Sequence, residues 1–125
     1  MKNPFSSEKP LHWVGSSKKD LLNFPEEVVD ELGYILGVVQ QGGIPPSIKH
    51  WKGEGAGVLE IVEDHRGDTF RVVCTVRFER AIYVLHCFQK KSPSGIRTAK
   101  TDVELIHERL KLTRTDYEVR YEKED

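Results

Sequence analysis

Residues that could handle phosphate and protons gather in one stretch of this chain, residues 58–91, VLEIVEDHRGDTFRVVCTVRFERAIYVLHCFQKK. Arg71 lies mid-way along an alternating run, Asp68 to Phe78, while Lys90 and Lys91 close an apolar run that also holds His86. An arginine in mid-strand loses hydration unless an anion compensates it. Arg71 therefore requires either a carboxylate, for which Glu60 on the neighbouring run is placed, or a phosphate-bearing ligand. Taken alone, a lysine pair at a strand end is ordinary solvated charge and a histidine in an apolar run is a core residue. His86 is nonetheless the titratable group nearest this strand end, and it would serve in proton transfer if it faced the arginine side.

These side chains need a sheet to position them. Leu59 to Glu63, Asp68 to Phe78 and Ala81 to Phe88 read as three strands of an antiparallel meander, separated by turn residues. Period-two alternation sends Phe70, Val72, Cys74, Val76 and Phe78 to one face, a core face. Thr69, Arg71, Val73, Thr75 and Arg77 go to the other, which carries the cations.

Upstream, Leu11 to Val14 is apolar enough for a first strand with Trp13 as a core anchor. Ser16 or Ser17 can cap a short helix that Pro25 stops. Pro25 also suits the start of a second helix, in which Val28, Leu32, Ile35 and Val39 form an apolar stripe running to about Gln41. The two are expected to pair as an antiparallel hairpin. GGIPPSIKHWKGEGAG, residues 42–57, reads as a loop in which Lys49 and Lys52 flank Trp51. Charge beside an aromatic can bind single-stranded RNA, and equally Trp51 can simply anchor the loop in the core. After a turn at Ser92 to Gly95, Arg97 to Leu112 has a helical stripe of Ala99, Val103, Ile106 and Leu110, with His107 on its polar face. The tail from residue 113 reads as charged, with Tyr117 and Tyr121 in a short strand or no element. The expected whole is one α+β domain over residues 1–125, with its core at about 11–112.

Composition narrows the function. Charged residues make up 31% and the net charge is −1, which excludes a uniformly basic nucleic-acid binder but not a local patch. Six cations, Arg66, Arg71, Arg77, Arg80, Lys90 and Lys91, face two acids between His65 and Lys91, so the basic charge is concentrated on the meander. Cys74 and Cys87 sit in apolar runs and are expected as buried thiols. No His or Cys pair has metal-ligand spacing, so neither a metal nor another cofactor is expected. The absence of a long apolar run or signal-peptide core predicts a cytoplasmic protein without membrane contact.

The order strand, helical pair, meander and terminal helix, with GVLEIVEDHRGDTFRVVC and YVLHCFQKKS as its most similar parts, resembles the RelE/ParE superfamily of toxins, in particular its phage-derived HigB-like branch. The resemblance implies a RelE-like fold and the toxin of a toxin–antitoxin pair. Such a toxin is an endoribonuclease that cleaves translated mRNA on the ribosome without a metal, by attack of a 2′-hydroxyl on the adjacent phosphate, and it is neutralised by a helix-turn-helix antitoxin. Residue by residue, Arg71 matches the branch's strand arginine, Lys90 and Lys91 its basic strand end, and Lys49 and Lys52 more loosely its loop cations. Arg71, Lys90, Lys91 and His86 are the expected catalytic group, and Lys49, Lys52, Arg66 and Arg77 the expected RNA contacts. The scaffold also admits a non-nuclease protein that acts by binding, through gyrase inhibition or antitoxin-bound repression. SPSGIRTAK departs from the branch's Thr-Pro step, and no tail residue matches a family catalytic base.

Overall fold

The computed structural model describes residues 8–90 and 99–123. The chain runs β1 (Leu11–Trp13), α1 (Ser17–Leu22), α2 (Glu26–Gln40), β2 (Ile48–His50), β3 (Val58–His65), β4 (Asp68–Thr75), β5 (Ile82–Lys90) and α3 (Lys100–Tyr117), which continues into a π-helical turn at Glu118–Glu122. The α+β class is as expected, and the sheet is larger than the sequence suggested. Five strands lie in the order β1-β5-β4-β3-β2, antiparallel except for β1, which joins β5 in parallel.

Two differences come from pairing that no local pattern encodes. Ile48–His50, read as loop, becomes an edge strand because Ile48, Lys49 and His50 pair with Ile61, Glu60 and Leu59. β4 ends at Thr75 rather than Phe78. The chain has left the strand there, so Phe78 packs against Tyr83 and Tyr117 on the opposite side of the sheet from Phe70, Val72 and Cys74.

The β3–β4 turn explains its own sequence. With His65 opposite Asp68, only Arg66 and Gly67 remain, at φ 50° and 87°. Two positive φ values in a two-residue hairpin match the twist of the strands it joins, and glycine meets that need without a Cβ clash.

Both sheet faces are packed. On one, Leu21 of α1 and Val28, Leu32, Ile35, Leu36 and Val39 of α2 cover Leu59, Ile61, Phe70, Val72, Cys74, Ile82, Val84 and Cys87. The stripe of α2 is the one its spacing predicts. The two helices meet each other little and owe their placement mainly to the sheet, α1 on β5 and α2 on β3. Cys74 and Cys87 are buried free thiols, and burial pushes each up to about 12.

On the other face α3 brings Ile106, Leu110 and Tyr117 onto Val58, Val73, Tyr83, Leu85 and Phe88. The face expected only to carry cations is therefore half core. Ala99 and Val103 of the expected stripe are exposed, and Thr113 and Tyr117 are buried in their place. The tail is helical, not loose: Tyr117 is 5% exposed and its hydroxyl accepts from the Arg80 backbone N–H at 3.1 Å. Among the described residues no helix is long and apolar enough to cross a membrane.

Candidate active site

A β-bulge decides which side chains meet. Val73 pairs with His86 but Cys74 pairs with Val84, leaving Leu85 as an extra residue on β5. Unbroken alternation from Tyr83 would have sent Leu85, Cys87 and Gln89 to the α3 side. The extra residue switches the parity, so His86, Phe88 and Lys90 join Arg71 on that face instead. Phe88 is directly opposite Arg71, and Lys90 is opposite Thr69. Arg71 thus has both His86 and Lys90 as diagonal neighbours on β5, within reach of long side chains.

Glu60 completes the group from β3. It pairs with Val73 on one side and with Lys49 of β2 on the other. Its carboxylate Oε2 accepts from Arg71 Nη1 in an ion pair whose side chains are 10% and 13% exposed, which realises the carboxylate alternative read from the sequence. A fork of five donors is not satisfied by one carboxylate oxygen, and Arg71 Nε is buried without a hydrogen-bond partner. Lys90 is half-buried beside it. Burial lowers the pKa of its amine, the cations of Arg71 and Lys49 lower it further, and Glu60 opposes them. Three cations, Lys49, Arg71 and Lys90, thus gather around the Glu60 carboxylate on one face of the sheet, with Asp64 opposite Thr69 at its edge, and such a cluster of cations can take an anion.

His86 forms the inner boundary. It is 7% exposed, stacks on Phe88 with centroids 4.7 Å apart and planes 16° apart, and holds Asp102 Oδ1 of α3 at 2.7 Å through Nε2. Its Nδ1 is buried with no hydrogen-bond partner. Sequence reasoning did not find Asp102, since its only signal is an acid in the first turn of a predicted helix.

The other expected contacts are dispersed. Lys49 is exposed on β2 and belongs to the group electrostatically, and Lys52 is exposed in the loop beyond it. Arg66 sits in the β3–β4 turn with 80% of its side chain exposed, 4.0 Å from Glu27. Arg77 lies past the far end of β4, where Nη2 donates to the carbonyls of Glu54 and Ala56 at 2.7 and 3.1 Å. At roughly 3.3 Å per residue the end of β4 at Thr75 is about 13 Å from Arg71 and Arg77 lies beyond it, so Arg77 serves the loop and not this group. Gly57 of that loop has φ 83°, and a Cβ there would come within 2.9 Å of Arg77. His107, expected as solvated, is 51% exposed and meets the Glu54 carboxylate at 2.9 Å. Lys91 lies outside the described residues.

The family model described as "Phage derived protein Gp49-like (DUF891)" matches residues 19–111. The chain belongs to this phage-derived Gp49-like family. The match takes in every member of the Arg71 group, together with α2 and most of α3, and it agrees with the phage-derived branch named from the sequence. Among solved structures, the RelBE2 toxin–antitoxin complex from Mycobacterium tuberculosis is similar, with 14% identity over 68% of this chain and 94% of that one and a TM-score of 0.48. No curated protein matches the chain.

Proposed function

We propose that this Gp49-like protein is the toxin of a toxin–antitoxin pair, a ribosome-dependent endoribonuclease that cuts translated mRNA in the cytoplasm and is held inert by a helix-turn-helix antitoxin. The observation that carries the reading is the convergence of Lys49, Arg71 and Lys90 around Glu60 on one face of the sheet. An RNA phosphate is an anion such a group can take. Attack of the 2′-hydroxyl on that phosphate builds negative charge on its non-bridging oxygens, and a guanidinium already fixed on one side by Glu60 can offer its remaining N–H groups to them. Fixed donors lose little on reorganising as the charge develops. Lys90, whose ammonium form is disfavoured by burial and by the cations of Arg71 and Lys49, is favoured by a phosphate beside it. Lys91 belongs to the same proposal as the next cation along the chain, and Lys49, Lys52 and Arg66 as contacts to the RNA backbone.

Primer extension on mRNA from cells expressing the protein tests this, with Arg71→Lys and a Lys90→Ala/Lys91→Ala double variant alongside. Arg71→Lys keeps a cation for Glu60 but loses the fork. Cuts within translated frames, weakened about 100-fold or more in both variants, are expected. Growth arrest with intact mRNA would overturn the nuclease reading in favour of a toxin that acts by binding a protein such as gyrase.

A further inference from the structure

The nuclease reading leaves open which group removes the 2′-hydroxyl proton. The hydrogen bonds that His86 makes and lacks point to an answer. A carboxylate only accepts, so the 2.7 Å contact with Asp102 Oδ1 puts a ring hydrogen on Nε2, and in the neutral imidazole this leaves Nδ1 with a lone pair. That lone pair is the buried acceptor with no partner. The buried donor with no partner is Nε–H of Arg71, on the adjacent strand and the same face, one diagonal step away. Buried polar atoms are nearly always satisfied, so an acceptor and a donor left over on adjacent strands of one face need an explanation. A single hydroxyl group would satisfy both, accepting from Arg71 Nε–H and donating to His86 Nδ1.

We propose, resting on the nuclease reading, that His86 is the general base acting through Nδ1 and that Asp102 is the positioning residue that fixes its tautomer and ring. The ribose 2′-hydroxyl donates its proton to Nδ1 as the 2′-oxygen–phosphorus bond forms. The bond from phosphorus to the 5′-oxygen breaks, and that oxygen leaves as an alcohol by taking a proton from water, whose hydroxide is neutralised when Nδ1 gives up the proton it received. The products are a 2′,3′-cyclic phosphate and a 5′-hydroxyl end. The imidazolium then keeps its Nε2–H on the Asp102 carboxylate, which stabilises the positive charge it has acquired. Nδ1 is covered in the unliganded protein, and the Phe88 ring stacked on the imidazole lies directly across from Arg71. The arrangement also gives α3 a part in the chemistry, because it is α3 that delivers Asp102.

Single-turnover cleavage of mRNA on programmed ribosomes by the purified full chain provides the test, with His86→Gln, Asp102→Asn and Asp102→Glu compared at saturating and limiting protein. Cleavage should fall at least 100-fold in His86→Gln and 10- to 100-fold in Asp102→Asn, with half-saturation unchanged and partial recovery in Asp102→Glu. Nitrogen NMR of the histidines should show the Nε2–H tautomer for His86 in the wild type and a mixture in Asp102→Asn. A loss of rate that tracks a lowered melting temperature, with the tautomer unchanged, would mean that Asp102 merely pins α3 and would overturn the proposal while leaving the nuclease intact. Absence of any ribosomal cut by the wild type would instead remove the nuclease reading, and this proposal with it.

Discussion

The two faces of the sheet are covered differently. α1 and α2 lay an apolar surface over their side, from Ile82 and Val84 on β5 across to Leu59 and Ile61 on β3. Among the described residues α3 packs chiefly on β5 and leaves the β2–β3 side of the other face, with the strand positions of Thr69 and Lys90, to Lys49, Glu60, Arg71 and Lys90. The dry face holds the sheet rigid and the half-covered face presents charge from it. Side chains on strands of a packed sheet are held more exactly than side chains on loops, which is what a catalytic group requires.

The contrast can be broken most severely at the ion pair. Arg71→Ala removes the ion-pair partner of the buried Glu60, and denaturant unfolding should show a loss of about 3–5 kcal/mol, whereas Glu60→Leu with Arg71→Met should recover most of the stability but none of the proposed cleavage. On the dry face, Leu32→Ala or Ile61→Ala should cost about 2–5 kcal/mol, with any remaining folded protein still cutting mRNA. A smaller effect is expected where the extended α3 is fastened. Tyr117→Phe removes the acceptor for the Arg80 N–H and should lower stability by about 0.5–1.5 kcal/mol. Smallest of all in stability, within about 0.5 kcal/mol, should be Lys90→Gln, and a measured loss of activity there would separate charge presented from charge that holds the fold. The thiols offer a probe of the dry face in the native protein. Cys74 and Cys87, pushed up to about 12 by burial, should resist a thiol-specific reagent near neutral pH until the chain unfolds.

Acid should expose one further difference. Burial raises the pKa of Asp116, but hydrogen bonds from Tyr83 at 2.5 Å and Arg120 at 2.6 Å outweigh it and the pKa is lowered. A depressed carboxyl contributes stability that is present above its unfolded value near 4 and lost as pH falls through the folded one. Asp116→Asn should accordingly flatten the acid limb of a stability-against-pH curve.

Much of this was legible in the chain itself. The meander and the stripe of α2 follow from spacings of two and of three to four, which are local and need no partner to be read. Glu60 could be named as the partner of Arg71 because a mid-strand arginine must be compensated by something close. What depended on distant pairing was not legible. The β2 strand exists only because β3 offers it an edge, the burial of Tyr117 depends on Phe78 and Arg80 arriving beneath α3, and Asp102 reaches His86 only through the path of that helix. Above all, one extra residue at Leu85 decides whether His86 and Lys90 lie with Arg71 or with the core beneath α1 and α2. The sequence by itself determined which residue types were available for phosphate chemistry and which stretch carried them. Tertiary structure alone decided their common face, because a bulge is a mismatch between two strands and belongs to neither of them.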